Sequence, residues 1–336
     1  MKILGIETSC DEIAAAVLEN EKIMSNVIFS SIEEHKKFGG IIPEIAARSA
    51  AEKIIPAITE ATKIAKQKIT DIDAIAVTTG PGLLGSILVG IESARTLALL
   101  YQKPLIPVFH IFGHIFSNLL ENSLPNFPVA VLTVSGGHTE IWIWEDILTL
   151  KKVGETLDDA AGEAFDKVAR MLDLPFPGGP EIAKIAKNID PEKFKFPLPM
   201  VNSGDFNFSF SGIKTAVFYK TLELQKKSKK LSKKTRAEIA ASFQDSATEI
   251  LSRKILAAAK KFNCQEIHLA GGVSANILLR EKIKTLTEKN SLNFRFPKKI
   301  EFCTDNAAMV AMVGLKKFQY FPKKKWNWQK VRPEIF

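Results

Sequence analysis

LGIETSCDEIAAAVL (residues 4–18) and AVLTVSGGHTEIWIW (residues 130–144) decide the fold. Each reads as an apolar strand, a short turn holding a serine, and a second apolar strand. Each opens a domain. Working outward from the first copy, Ala46 to Gln67 reads as a helix, and Asp73 to Thr79 as a strand ending in Gly80-Pro81-Gly82. A helix from Gly85 to Tyr101 follows. From the second copy, Arg236 to Phe262 reads as a helix and Glu266 to Ala270 as a strand. A helix from Ser274 to Glu288, capped by Ser274, and a last helix from Asp305 to Phe318 complete the pattern. Strands alternating with helices indicate an α/β layer architecture, and the repeat indicates a duplicated one with a boundary near Pro125–Pro128.

Length supports this division, since 336 residues make about two domains. The chain is 46% hydrophobic and 25% charged, which excludes a disordered chain or a fibre. Cys10, Cys264 and Cys303 are too few and too scattered for a disulfide framework or a CxxC zinc site. No apolar run approaches a membrane span, and the first residues lack a signal-peptide layout. These features predict a soluble, cytoplasmic protein. The net charge of +9 is concentrated in two acid-free tracts, Gln225–Arg236 and Lys316–Arg332, with seven basic residues each. In the second, Phe318, Tyr320, Phe321, Trp326 and Trp328 interleave with the charges. Lysines that neutralise phosphates and rings that stack on unpaired bases suit RNA; the plain alternative is a tail docked on the body.

Gly80-Pro81-Gly82-Leu83-Leu84-Gly85 matches GxGxxG between a strand and a helix. However, Leu99 to His110 contains no acid to grip a ribose, so the loop reads as a close-packed turn. His110 and His114 stand at i, i+4, which places both imidazoles on one helix face. Ile111 and Phe112 follow, so there is no HExxH base. Asp305, at a helix start, is the candidate third ligand, with a simple helix cap as its alternative. Two His and one carboxylate suit Fe(II) or Zn(II). Three glycine turns, Ser135-Gly136-Gly137, Gly178-Gly179 and Gly271-Gly272, can hold a nucleotide without a Walker lysine.

With these residues in view, the chain resembles the tRNA N6-adenosine threonylcarbamoyltransferase (TsaD) family of bacterial type. The matching pieces are LGIETSCDE (4–12), GGIIPEIAAR (39–48), TGPGL (79–83), HIFGH (110–114), VSGGHT (134–139), DDAAGEAFDKVAR (158–170), PGGP (177–180), FSFSGIKTA (208–216), AASFQ (240–244), LAGGVSAN (269–276) and TDNAAM (304–309). They run in family order over nearly the whole chain.

The resemblance implies two ribonuclease-H-like subdomains of the actin, Hsp70 and sugar-kinase architecture, with a nucleotide and metal cleft between them. The first would span residues 1–126 and be completed by the helix 305–320. The second would span 127–304 with a helical basic insertion, leaving 321–336 as a basic aromatic tail. One divalent metal, Fe(II) with Zn(II) as the alternative, would be held by His110, His114 and Asp305. A nucleotide-like ligand would contact Thr133, Val134, Ser135, Gly136, Gly137, Asp166, Gly179 and Asn276. The implied reaction moves a threonylcarbamoyl group from threonylcarbamoyl-adenylate to N6 of the adenosine 3′ of the anticodon, in tRNAs reading codons that start with adenine, releasing AMP. The implied protein partners are a TsaB-like paralogue and a TsaE-like P-loop ATPase. His138, Asp11 and Glu12, in the two strand-joining turns, are candidate bases for the amine proton.

The chain departs from the family pattern at Phe112, where a Glu is usual, at Ala183, where many members carry an Asp, and mildly at Thr133. Two rival readings remain. One is a metal-dependent kinase or ATPase of the same fold. The other is a non-catalytic binding subunit of a tRNA-modifying complex.

Overall fold

The computed structural model describes residues 1–228 and 230–334; Lys229 of the first basic tract and the last two residues of the tail lie outside the described residues. The chain forms two compact units, Met1–Leu124 together with the chain from Pro297 on, and Pro125–Phe296.

The first unit holds β1 (Lys2–Glu7), β2 (Glu12–Glu19), β3 (Lys22–Ser30), β4 (Ala74–Gly80) and β5 (Leu105–Phe109), ordered β3-β2-β1-β4-β5. β1 pairs antiparallel with β2 and parallel with β4, and β4 runs parallel to β5. The second unit holds β6 (Val129–Val134), β7 (Thr139–Asp146), β8 (Thr149–Glu155), β9 (Glu266–Ala270) and β10 (Asn293–Arg295). Its order, read from the edge, is β8-β7-β6-β9-β10, again two antiparallel pairs and then two parallel ones. The ribonuclease-H-like reading therefore holds in each unit, and the duplication seen in two short sequences extends to whole sheets. A hairpin needs only the short turns at 8–11 and 135–138, whereas the parallel pairs need helical crossovers.

The longer helices are α1 (Pro43–Ile64), α2 (Leu84–Leu100), α3 (His110–Phe116), α4 (Ala161–Met171), α5 (Gly178–Ala186), α6 (Ser211–Lys227), α7 (Lys233–Lys261), α8 (Ile277–Lys289) and α9 (Ala307–Tyr320), of which all but α3 and α9 lie in crossovers between parallel strands. In the first unit Leu4, Ile6, Ala15, Val17, Ile75 and Val77 join one apolar cluster with residues of α1 and α2. Their spacing of two is that of one sheet face. α9, apolar from Ala307 to Leu315, packs against β1, β2 and β4. In the second unit Leu132, Val134, Ile141 and Ile143 pack with Phe165, Phe243 and Ile250. Each such side chain contributes about 1.5–3 kcal/mol by leaving water, enough for two separate cores.

The GxGxxG stretch is filled by the chain itself. A Cβ on Gly80 would stand 2.4 Å from the Glu334 carbonyl oxygen, and one on Gly82 the same distance from that of Ser9. The Leu83 N–H donates to that Ser9 oxygen at 2.7 Å. These glycines serve close backbone packing, with no phosphate cradle.

Three sequence readings need correction. Ser274 does not cap a helix; it lies in a short 3-10 turn, and α8 is capped by Asn276, whose Oδ1 accepts from Leu279 N at 3.0 Å. Likewise Asn306, not Asp305, caps α9, accepting from Met309 N at 3.0 Å. The second basic tract is less available than its composition suggests. Lys316 is buried against Glu21, and Lys317 donates to the Pro107 carbonyl at 2.8 Å. Burial holds the Lys317 ammonium down at about 8.

Candidate active site

His110 and His114 sit on α3, which starts where β5 ends. Their rings stand edge to face with centroids 4.7 Å apart, both buried. Asp305 closes the group: its Oδ1 lies 3.5 Å from His110 Nε2 and 3.1 Å from His114 Nε2. One ligand atom from each of the three residues lies within 4.8 Å of the others. Because Asn306 supplies the helix cap, Asp305 is not required for it.

The group fits a divalent cation on two further observations. Neither His114 ring nitrogen makes an aligned hydrogen bond although both are buried; for Nε2, which faces the Asp305 carboxylate, a metal ligand bond would remove that cost. The carboxyl groups also crowd. Burial pushes the Glu12 carboxyl well above its usual range, and Asp305, Asp11 and Glu7 add like-charge repulsion. Burial and the charges of Asp11, Asp305 and Glu12 hold the Cys10 thiol far up, so it stays protonated and is a poor nucleophile.

β1 supplies the support. Glu7 is fully buried at the end of the strand. Its Oε1 accepts from Ser9 N at 2.5 Å, and its Oε2 accepts from Thr78 Oγ1 at 2.6 Å and lies 3.2 Å from His110 Nδ1. Ser9 Oγ lies 3.2 Å from the same nitrogen. A carboxylate at Nδ1 fixes the proton there and leaves Nε2, the nitrogen that faces Asp305, as the atom through which His110 would bind a metal. Burial lowers the His110 pKa, but Asp305 and Glu7 outweigh it and carry it up to about 9.

The second unit carries the nucleotide candidates. The β6–β7 turn is closed by Ser135 N donating to the His138 carbonyl at 2.8 Å and His138 N donating to Ser135 Oγ at 3.1 Å. At its tip Gly136 and Gly137 face open space, with no atom within 4 Å of the place a Cβ would take. Thr133 and Val134 are buried in β6, and Thr133 Oγ1 has no hydrogen-bond partner. Asp166, on α4, accepts from Gly178 N at 2.6 Å and also from Gly179 N, and so holds the first turn of α5. A Cβ on Gly178 would stand 2.5 Å from that of Ala169, whereas Gly179 is open. Asn276, besides capping α8, donates through Nδ2 to Gln244 Oε1 at 3.0 Å.

Comparison with known proteins decides the family. The profile of the tRNA N6-adenosine threonylcarbamoyltransferases matches residues 22–312. The enzyme of that name from Thermosipho melanesiensis is 52% identical over 320 residues, covering 95% of each chain. The one from Thermosipho africanus is 50% identical over 319 residues, again covering 95% of each. The chain belongs to the tRNA N6-adenosine threonylcarbamoyltransferase family.

A crystal structure of full-length HypF shares the fold, with a TM-score of 0.64 over 97% of this chain and 56% of that one at 13% identity. In threonylcarbamoyltransferase terms, the structure brings His110, His114 and Asp305 together in one unit. Asp11 and Glu12 follow β1 in that unit, whereas His138 belongs to the other, so the three candidate bases do not form one cluster within either. Phe112, in place of the usual Glu, packs edge to face on Phe109 with ring centroids 5.2 Å apart. Sequence reasoning missed Glu7, Thr78 and Gln244. For Glu7 the signal was present: an acid ending an otherwise apolar buried strand must find partners.

Proposed function

We propose that the chain transfers the threonylcarbamoyl group of threonylcarbamoyl-adenylate to N6 of the adenosine 3′ of the anticodon, releasing AMP. Family membership supports the reaction class, and the buried His110–His114–Asp305 group is the single observation that carries the site assignment. These three residues would hold one divalent ion, Fe(II) or Zn(II), which when bound supplies Lewis-acid stabilisation of charge on a carbonyl or phosphate oxygen.

The chain's own groups do the rest. The donor is a mixed anhydride with a good leaving group, so orientation and charge stabilisation are the main requirements. The open backbone at Gly136 and Gly137 offers N–H groups to the donor's phosphate. The unpaired Thr133 hydroxyl gives this strand end a further hydrogen-bonding group. Asp166 holds the Gly178–Gly179 turn, whose open second glycine leaves room for the nucleoside. Asn276, fixed by Gln244, orders the neighbouring turn. His138, Asp11 and Glu12 are the candidates to accept the N6 proton as the new bond forms. A TsaB-like paralogue and a TsaE-like ATPase are proposed as partners and the cytoplasm as the location. No helix among the described residues is long and apolar enough to cross a membrane.

The test is reconstitution with threonine, bicarbonate, ATP, an adenylate synthase, the partner proteins and unmodified tRNA, followed by nucleoside analysis. Threonylcarbamoyladenosine that depends on this chain supports the reading. No modified nucleoside in the full mixture, together with ADP formed by this chain alone in the absence of the partner ATPase, would indicate the kinase alternative.

A further inference from the structure

The helical insertion of the second unit carries an exposed aromatic pair that the fold does not use. On α6, Phe218 is 43% exposed and Tyr219 is 65% exposed, their rings edge to face at 5.6 Å. Leu222, one turn on, is 39% exposed. Large side chains left in water on a helix imply a contact made elsewhere. The first basic tract begins at the end of the same helix. Lys226, Lys230, Lys233 and Lys234 are exposed, and none has an acidic partner among the described residues. Arg236, by contrast, is spent on Asp173 at 2.8 Å. Seven residues of helix separate Tyr219 from Lys226, about 10 Å along the axis. A base lying on the Tyr219 ring therefore has its strand's neighbouring phosphates within reach of Lys226, and Lys230, Lys233 and Lys234 follow in the same tract.

We propose that Phe218 and Tyr219 form a stacking platform for an unpaired nucleotide of the tRNA substrate, with Lys226, Lys230, Lys233 and Lys234 neutralising the adjoining phosphates. This rests on the tRNA-modifying reading above and names the surface that reading lacks. Charge chooses the occupant. Glu223, one turn past Tyr219, is paired with Lys220 at 2.6 Å, and the tract that follows it is free of acids; a protein partner would need only the apolar rings, whereas this run of lysines suits a polyanion with exposed bases. In the C-terminal tail, by comparison, Trp328 packs against the core of the first unit while Tyr320 and Phe321 stay exposed.

The experiment measures affinity of the full chain for unmodified tRNA and for its isolated anticodon stem–loop across a salt series. Tyr219→Ala should weaken binding at least about fivefold with the salt slope unchanged, and Tyr219→Trp should restore it. Replacing Lys226, Lys230 and Lys233 with Gln should flatten the log–log slope by about 0.7 for each phosphate released. Both rings are exposed, so neither change threatens the fold. Unchanged RNA affinity in both Tyr219→Ala and Phe218→Ala overturns the platform while leaving the transferase reading intact. Loss of partner-protein binding alone would assign the rings to a protein contact and overturn it too. A wild-type chain that binds no tRNA, alone or with its partners, overturns both readings.

Discussion

At Glu7 one carboxylate faces three hydrogen-bonding groups, Ser9 N, Thr78 Oγ1 and His110 Nδ1. Glutamine cannot serve all of them. With its oxygen toward Ser9 N it turns an NH2 toward Nδ1, and with its oxygen toward Nδ1 it turns the NH2 toward Ser9 N–H. Glu7→Gln should therefore weaken Zn(II) or Co(II) binding about 10–100-fold, measured by calorimetry on folded protein. Ser9→Ala, which keeps the backbone donor, should leave metal affinity within about twofold if Glu7 is the orienting group. The pH dependence follows from His110. Its pKa is raised to about 9, so in metal-free protein its contribution to stability is full below the ordinary histidine value. That contribution is lost as pH rises through about 9. A metal must displace this proton, so loading should tighten by up to about tenfold per pH unit below that point. Metal titrations at several pH values check this, and affinity independent of pH would contradict it. The histidine pair was legible in the sequence because i, i+4 spacing fixes a face. Glu7 was legible only as a buried acid in need of partners; its role was not, because that depends on β4 and α3 arriving beside β1 from distant segments.

Elements differ in how plainly their sequences announce them. β1, β4, β6 and β9 are buried along nearly their whole length and carry the chain's clearest apolar runs, which locate them within a residue or two. β3 and β8 were missed because they are edge strands: polar residues such as Lys22, Ser25 and Asn26 in β3, and the exposed Lys151 and Lys152 in β8, dilute the alternation. The Ser274 cap was misread because a 3-10 turn interposes before α8, and only its backbone shows that Asn276 stands at the true start. Paired glycines hide a similar division. Gly178→Ala places a methyl 2.5 Å from Ala169 Cβ and 2.8 Å from Asp166 Cα, so it should lower thermal stability, by about 1–3 kcal/mol for overpacking. Gly179→Ala has open space and should leave stability nearly unchanged. If it borders the nucleoside as proposed, it should raise KM for the donor. Equal melting temperatures for the two variants would contradict the packing argument.

Across the whole molecule, the duplicated sheet was legible because a strand–turn–strand opening is local, and the C-terminal tail was not because its place depends on a distant partner. The tail folds back on the first unit. Arg95 Nη2 donates to the Val331 carbonyl, Val331 is buried, and Glu334 N donates to the Thr79 carbonyl at 2.7 Å. Its lysines at 323–325 stay exposed, with Lys324 lying 4.2 Å over the Trp326 ring. Replacing Lys323, Lys324 and Lys325 with Gln should weaken tRNA binding and flatten its salt slope while metal content stays unchanged. Unaltered affinity at low and moderate salt would make the tail a docking element only. The central claim, a metal-dependent transferase built on His110, His114 and Asp305, is tested most directly by one measurement. Modified nucleoside and AMP are quantified in the reconstituted reaction for the wild-type chain and for His114→Ala, with metal content determined on the same samples. The account predicts threonylcarbamoyladenosine with at least an equal amount of AMP from the metal-loaded wild type, and loss of both metal and modified nucleoside in a still-folded His114→Ala. Full product formation by a metal-free His114→Ala would contradict it.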